Sequence, residues 1–171
     1  ATEVLSRIRD EMGPVSVLVY NAGSGVFGDF DAVSPEDLEA AWRVNTWGLL
    51  LAAKQVVPDM RGLGGGNIVV TGATASLRGG ANFAAFASAK AAQRSLAQSL
   101  ARKLGPEGIH VSYVVVDGVI DMPRTRQLLP DRSDETFLRA DDIAAATYFL
   151  TQQERSAWTF ELDLRPFGES W

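Results

Sequence analysis

Residues 83–116 read FAAFASAKAAQRSLAQSLARKLGPEGIHVSYVVV. The Ala- and Leu-rich run from about Phe83 to Leu104 predicts a helix, and Gly105-Pro106 stops it, because proline cannot continue a helix and glycine suits its last turn. Ile109–Val116 follows as a β-branched run with little polar alternation, the pattern of a parallel strand covered on both faces. The same strand-and-helix unit recurs outward from here. Asn67–Thr71 (NIVVT) and Val15–Tyr20 (VSVLVY) read as strands. Between them a helix runs from about Glu36 to Met60, opened by Ser34 as N-cap, Pro35 and two acidic residues, and closed by GLGGG at 62–66. Ala1–Met12 is amphipathic, with Val4, Leu5, Ile8 and Met12 on one stripe before Gly13-Pro14. Downstream, 118–139 reads as a long, mobile, solvated loop with at most short helices. Asp141 or Asp142 then caps a helix to about Leu150, and Thr159–Leu164 is a last strand. Such alternation predicts one α/β domain over 1–171, a doubly wound parallel sheet with helices on both faces and right-handed crossovers.

Composition narrows the function classes. Sixteen Lys plus Arg against 21 Asp plus Glu leave a net charge of −5, with no long run of either sign, which argues against a nucleic-acid binder or a polybasic membrane-surface protein. No stretch approaches the apolar length needed to span a bilayer, and no secretory leader is visible. Cysteine is absent, so disulfides and thiolate metal sites are excluded, and no metal site is expected. The balance is that of a cytoplasmic α/β protein.

One motif invites a phosphate-binding reading and fails it. Gly23-Ser24-Gly25-Val26-Phe27-Gly28 fits G-x-G-x-x-G after a strand. That pattern works by opening a helix at the glycines, so that its first amides meet a pyrophosphate. Here the helix waits until Pro35, after Asp29 and Asp31, and the position about 20 residues on lies mid-helix near Gly48 rather than at a strand end. A glycine-rich connection is the simpler reading.

Four segments, in order and at matching intervals, carry a resemblance. They are Tyr20-Asn21-Ala22-Gly23, Asn45 within VNTWG, Phe86-Ala87-Ser88-Ala89-Lys90 with the helix and strand after it, and Asp117-Gly118. Together they resemble the short-chain dehydrogenase/reductase family, in its N-N-A-G, catalytic-helix Asn, Tyr-x-x-x-Lys and Pro-Gly elements. The resemblance implies a Rossmann-type fold with strand order 3-2-1-4-5-6-7, of which this chain would hold strands four to seven. The N-terminal βαβαβ part, with its T-G-x-x-x-G-x-G diphosphate turn, would lie outside it, roughly 70 residues at the usual size of such units. The Val15–Tyr20 strand is then expected to present an apolar edge.

The implied activity is hydride transfer between NAD or NADP and an alcohol or carbonyl substrate. Family members use a Tyr phenol, a Lys one helical turn on, a Ser and an Asn. Lys90 and Asn45 stand at their positions, but the Tyr position is Phe86, which has no exchangeable proton. About 13 residues earlier, where the Ser belongs, stands Ala73, with Thr74 and Ser76 as neighbouring hydroxyls. Asn21, Ala22, Gly23, Thr71, Lys90, Asp117, Gly118 and Ile120 are the positions that would line the cofactor. Asp117 replaces a Pro and Met122 a Thr, and an aspartate beside a diphosphate is repulsive unless it faces away. The segment 118–139, with Arg124, Arg126, Arg132 and Arg139 among Asp131, Asp134 and Glu135, occupies the substrate-lid position.

Each residue has a plainer reading beside this one. Phe86 also fits a packing stripe with Phe83 and Ala87; Lys90 could be a solvated helix lysine, although none other lies between Lys54 and Lys103. Asn45 is unfavourable mid-helix unless its amide finds a partner, and Thr74 could be a turn residue. Lone His110 reads as structural. Three functions therefore stand open: an oxidoreductase with an atypical proton donor (Thr74, Ser76 or a water held by Asn45 and Lys90), a non-catalytic homologue binding a nucleotide or a partner, and a structural remnant. The resemblance implies a homodimer or homotetramer through the Asn45 and Lys90 helices, with Trp42, Trp47, Leu96 and Leu100 as exposed apolar content.

Overall fold

A computed structural model describes residues 2–168. Helix α1 (Thr2–Met12) leads into β1 (Val17–Tyr20), which is shorter than the expected run because Val15 and Ser16 precede the pairing. Ser34 then caps α2 (Pro35–Trp42): its hydroxyl accepts from the Asp37 amide while the Asp37 carboxylate accepts from the Ser34 amide, a reciprocal capping box. Beyond it come α3 (Gly48–Gly62), β2 (Gly66–Thr71), α4 (Ala84–Leu104), β3 (Ile109–Val116), β4 (Val119–Ile120), α5 (Pro123–Leu128), β5 (Phe137–Leu138), α6 (Ala140–Thr151) and β6 (Glu161–Leu164).

The sheet order is β1-β2-β3-β6, all parallel, with Val19 opposite Val69 and Val69 opposite Ser112. Every residue of β3 is buried, as its apolar run requires. Its alternate side chains serve two cores. Ile109, Val111 and Tyr113 pack with Leu49, Val56 and Met60 from α3, whereas Val114 and Val116 pack with Val69 and with Leu150 of α6. The doubly wound architecture follows directly. The outer edge of β1 has no partner strand among the described residues, and Val17 and Val19 are 43% and 47% exposed, as expected of an apolar edge. His110 is structural: it is buried, bonded to the Thr159 carbonyl at 2.8 Å and stacked on Trp158.

Several expectations need correction. The helix from about Glu36 to Met60 is not uniform: a π-turn over Arg43–Trp47 joins α2 to α3. Its cause is steric and polar together. Tyr20 donates its hydroxyl to the Val44 carbonyl at 2.5 Å, and a side chain on Gly48 would strike the Tyr20 hydroxyl oxygen at 2.2 Å. A carbonyl pulled out of the α-ladder leaves the widened turn behind. The cap of α6 falls at Arg139, with Asp141 and Asp142 inside the first turn, where they complement the helix dipole.

The 118–139 stretch is organised rather than loose. β4 pairs with β5, and Arg126 donates to both Asp121 and Asp134 while its guanidinium lies 3.9 Å from the Phe137 ring centroid. Leu96 and Leu100 are only partly exposed, and both pack against the core cluster of α3 and the sheet.

Beyond β2, Gly72 closes against β3, its amide donating to the Val114 carbonyl at 2.7 Å. A Cβ there would sit 2.2 Å from the buried Tyr113 ring. Gly72→Ala is expected to lower unfolding free energy by about 1–3 kcal/mol, as overpacking does. Denaturant titration of the two proteins checks it; equal midpoints would contradict this packing.

Candidate functional site

Parallel strands bring their C-terminal ends to one rim, and this rim gathers the residues singled out by spacing. Asn21-Ala22-Gly23 follow β1, Thr71 ends β2 and Asp117-Gly118 follow β3. The first turns of α4 carry Phe86 and Lys90 past the same rim, and the π-turn supplies Asn45.

Lys90 is 5% exposed. Its ammonium donates to the Thr71 carbonyl at 2.9 Å and to Gln93 Oε1 at 3.1 Å. Burial disfavours the charged form and pulls its pKa from 10.5 down to about 8. Gln93 in turn donates to the Asn45 carbonyl at 2.9 Å, which ties α4 to the π-turn. Thr46 adds a second tie, donating to the Ala89 carbonyl. The solvated-lysine reading is thereby set aside.

Asn45 is wholly buried. Its Nδ2 donates to the Ala41 carbonyl at 2.8 Å and the Ser24 carbonyl at 3.0 Å, but its Oδ1 has no partner among the described residues. A Cβ built on Gly23 would come within 3.6 Å of that oxygen and 3.9 Å of Lys90 Nζ. The bare glycine therefore leaves one spot open to a buried acceptor and a buried donor together. An unpaired buried acceptor is costly, so a hydroxyl-bearing group at this spot is stabilised.

Beside it lies a cleft of about 540 Å³, lined among others by Phe27, Thr74, Arg78, Phe83, Phe86 and Asp117. Phe27 meets Phe86 edge-on at 5.3 Å between centroids and Phe83 at 5.5 Å. Phe86 is half-buried, with Lys90 Nζ 6.0 Å from its ring centroid, so it serves the cleft wall and aromatic packing at once. Thr74 donates its hydroxyl to Asp117, whose other oxygen pairs with Arg165 at 2.8 Å. The Asp117 charge is thus countered within the protein, which removes the repulsion expected of it.

Ser76 does not join the cleft. It is buried and donates to the Ala73 carbonyl at 2.7 Å, so the candidate hydroxyl on that side is Thr74. Ile120 lies in β4, and its carbonyl accepts from the Thr125 hydroxyl at 2.5 Å. Met122 is exposed just before α5. Spacing did not single out Arg78, Phe27 or Arg165, and pointed to Phe83 only as part of a packing stripe. The one signal for Arg78 was a charge placed directly before Gly79-Gly80 in the connection after β2.

Comparisons with known proteins follow the same register. The family model described as short chain dehydrogenase matches residues 1–133. A curated "Probable galactose dehydrogenase" of Rhizobium meliloti is 33% identical over 159 residues, covering 87% of this chain. The "Inactive 2-(S)-hydroxypropyl-CoM dehydrogenase 2" of Xanthobacter autotrophicus is 32% identical over 152 residues, covering 81%. This chain spans 62% and 66% of the lengths of these two relatives. The crystal structure of a short-chain dehydrogenase from Rhodopseudomonas palustris superposes with a TM-score of 0.79 at 35% identity, over 97% of this chain and 68% of that one.

Proposed function

The chain belongs to the short-chain dehydrogenase family, and on that premise we propose that it forms the nicotinamide and substrate side of an NAD- or NADP-dependent oxidoreductase whose proton chemistry does not use residue 86. One observation carries the reading: the unpaired Asn45 Oδ1 and the Lys90 ammonium flank the same open spot over Gly23. A ribose hydroxyl can accept from Lys90 and donate to Asn45 Oδ1 there, while Asn21, Ala22, Thr71 and Gly118 supply the surrounding rim. Nicotinamide, when bound, supplies or accepts the hydride.

The protein's own residues then handle the oxygen of the substrate. Thr74 lines the cleft and commits its proton to Asp117, so its Oγ1 can only accept and suits a substrate alcohol better than a carbonyl. Lys90, with its pKa near 8, is matched to taking or giving a proton at neutral pH through a hydroxyl or water at Asn45 Oδ1. Gly118 and Val119 line the cleft wall, which supports reading residues 118–139 as the segment that covers substrate. The stacked Trp42–Trp47 pair, 41% and 43% exposed on the helices that carry Asn45, supports pairing with a second copy of the chain.

A second reading has a specific observation behind it. Phe86 offers no proton, and a relative described as inactive is 32% identical, so binding without turnover is the alternative. Titrating the protein as its gene encodes it with NADH and NADPH, followed by nicotinamide fluorescence, is expected to give saturable binding of one or both. No saturation with either would remove the oxidoreductase reading. Saturation with no turnover of any alcohol would favour the binding module.

A further inference from the structure

We infer that the 540 Å³ cleft takes an apolar, ring-sized ligand bearing an anionic group, paired by Arg78. The inference rests on reading this cleft as the place where substrate lies. It does not depend on the redox step.

Three observations converge. The cleft is walled by Phe27, Phe83 and Phe86, with Phe27 edge-on to each of the other two, and its volume is within the range of small-molecule sites. Arg78 lines the same cleft, its backbone fixed by a hydrogen bond from its amide to the Thr74 carbonyl at 3.3 Å, and its guanidinium makes no hydrogen bond or ion pair with the described residues. That is unlike Arg9, Arg61, Arg94 and Arg126, each of which is paired with a carboxylate. The carboxylate sharing the cleft, Asp117, is already engaged by Thr74 and Arg165 and leaves Arg78 uncompensated.

These features discriminate among ligand classes. A cation is repelled by Arg78 even though aromatic rings would otherwise attract it. A small polar neutral molecule gains nothing from the three rings. An anionic head on an aromatic or alicyclic body satisfies both: its body displaces water from the phenylalanines, and the guanidinium meets its carboxylate through a charge-assisted, bidentate geometry.

Calorimetric titration with 2-naphthoate and its neutral isostere 2-naphthamide tests this on the whole protein. Arg78 is exposed, so naphthoate is expected to bind about threefold to fivefold tighter than the amide, the scale of one charge-assisted pair to a solvated guanidinium. Arg78→Gln should abolish that difference, while Arg78→Lys should retain part of it. Equal affinities in the wild type, a preference that survives Arg78→Gln, or no binding of either compound would overturn the inference. An NADH titration in parallel separates the two claims. Naphthoate selectivity without NADH binding upholds the anion site and removes the oxidoreductase reading, and the converse result does the opposite.

Discussion

Phe86→Tyr is expected to raise the rate of alcohol oxidation by about 10²–10⁴, the usual worth of a positioned acid–base group, or about 3–5 kcal/mol in barrier. The geometry already favours it. Residue 86 lies one helical turn before Lys90, its ring lines the cleft, and the ammonium sits 6.0 Å from the ring centroid. A phenol there would have a cation of pKa about 8 beside it to favour its ionised form. The check is the initial rate of nicotinamide reduction with a set of primary and secondary alcohols, wild type against variant. A variant no faster than wild type, with cofactor binding intact, would mean that something other than the missing phenol limits the site.

Replacing Lys90 by Met is expected to remove a rise in stability between pH 8 and pH 10. In the folded protein burial holds the lysine near 8, whereas in the unfolded chain it titrates at its ordinary 10.5. Above pH 8 the unfolded state binds more protons at this group than the folded state, so unfolding free energy increases with pH. The slope approaches 1.36 kcal/mol per unit, about 2–3 kcal/mol by pH 10. Conversely, this contribution disappears as pH falls through 8. Above pH 10 the buried tyrosines act in the other direction: burial pushes Tyr113 up to about 12, so the unfolded chain loses its tyrosine protons first and stability falls. Urea unfolding at pH 7, 8, 9 and 10 gives the comparison. Parallel pH profiles for wild type and Lys90→Met would show that the lysine is not desolvated.

Local chemistry made much of this fold readable. The Gly105-Pro106 stop, the Ser34 cap and the β-branched runs each act over a few residues, and the elements they predict are present within a residue or two. The π-turn was not readable, because it depends on Tyr20 reaching across to Val44 and on Gly48 leaving room for it. The order in 118–139 was hidden for a similar reason. Its strands are two residues each, and what fixes them is a guanidinium shared between Asp121 and Asp134 and laid over Phe137.

Within the site, Asn45 and Lys90 stood out by spacing, and the structure brings both to one spot over Gly23. Which hydroxyl faces the cleft did not. Thr74 and Ser76 are two residues apart in one short 3₁₀ turn, and that turn points one toward Asp117 and buries the other. Nor does any local pattern foretell Arg165 countering Asp117 from beyond the last strand, or Arg78 standing unpaired beside three phenylalanines.

If the open spot over Gly23 holds part of a nicotinamide dinucleotide, as proposed, Gly23→Leu blocks it. The glycine has a backbone conformation that other residues adopt, so the leucine side chain would fill the space facing Asn45 Oδ1 and Lys90 Nζ without forcing the chain. In a fluorescence titration with NADH and NADPH, saturable binding is predicted for the wild type and its loss for Gly23→Leu. Absence of binding in the wild type, or equal affinity in the two proteins, would show that no dinucleotide sits over Gly23.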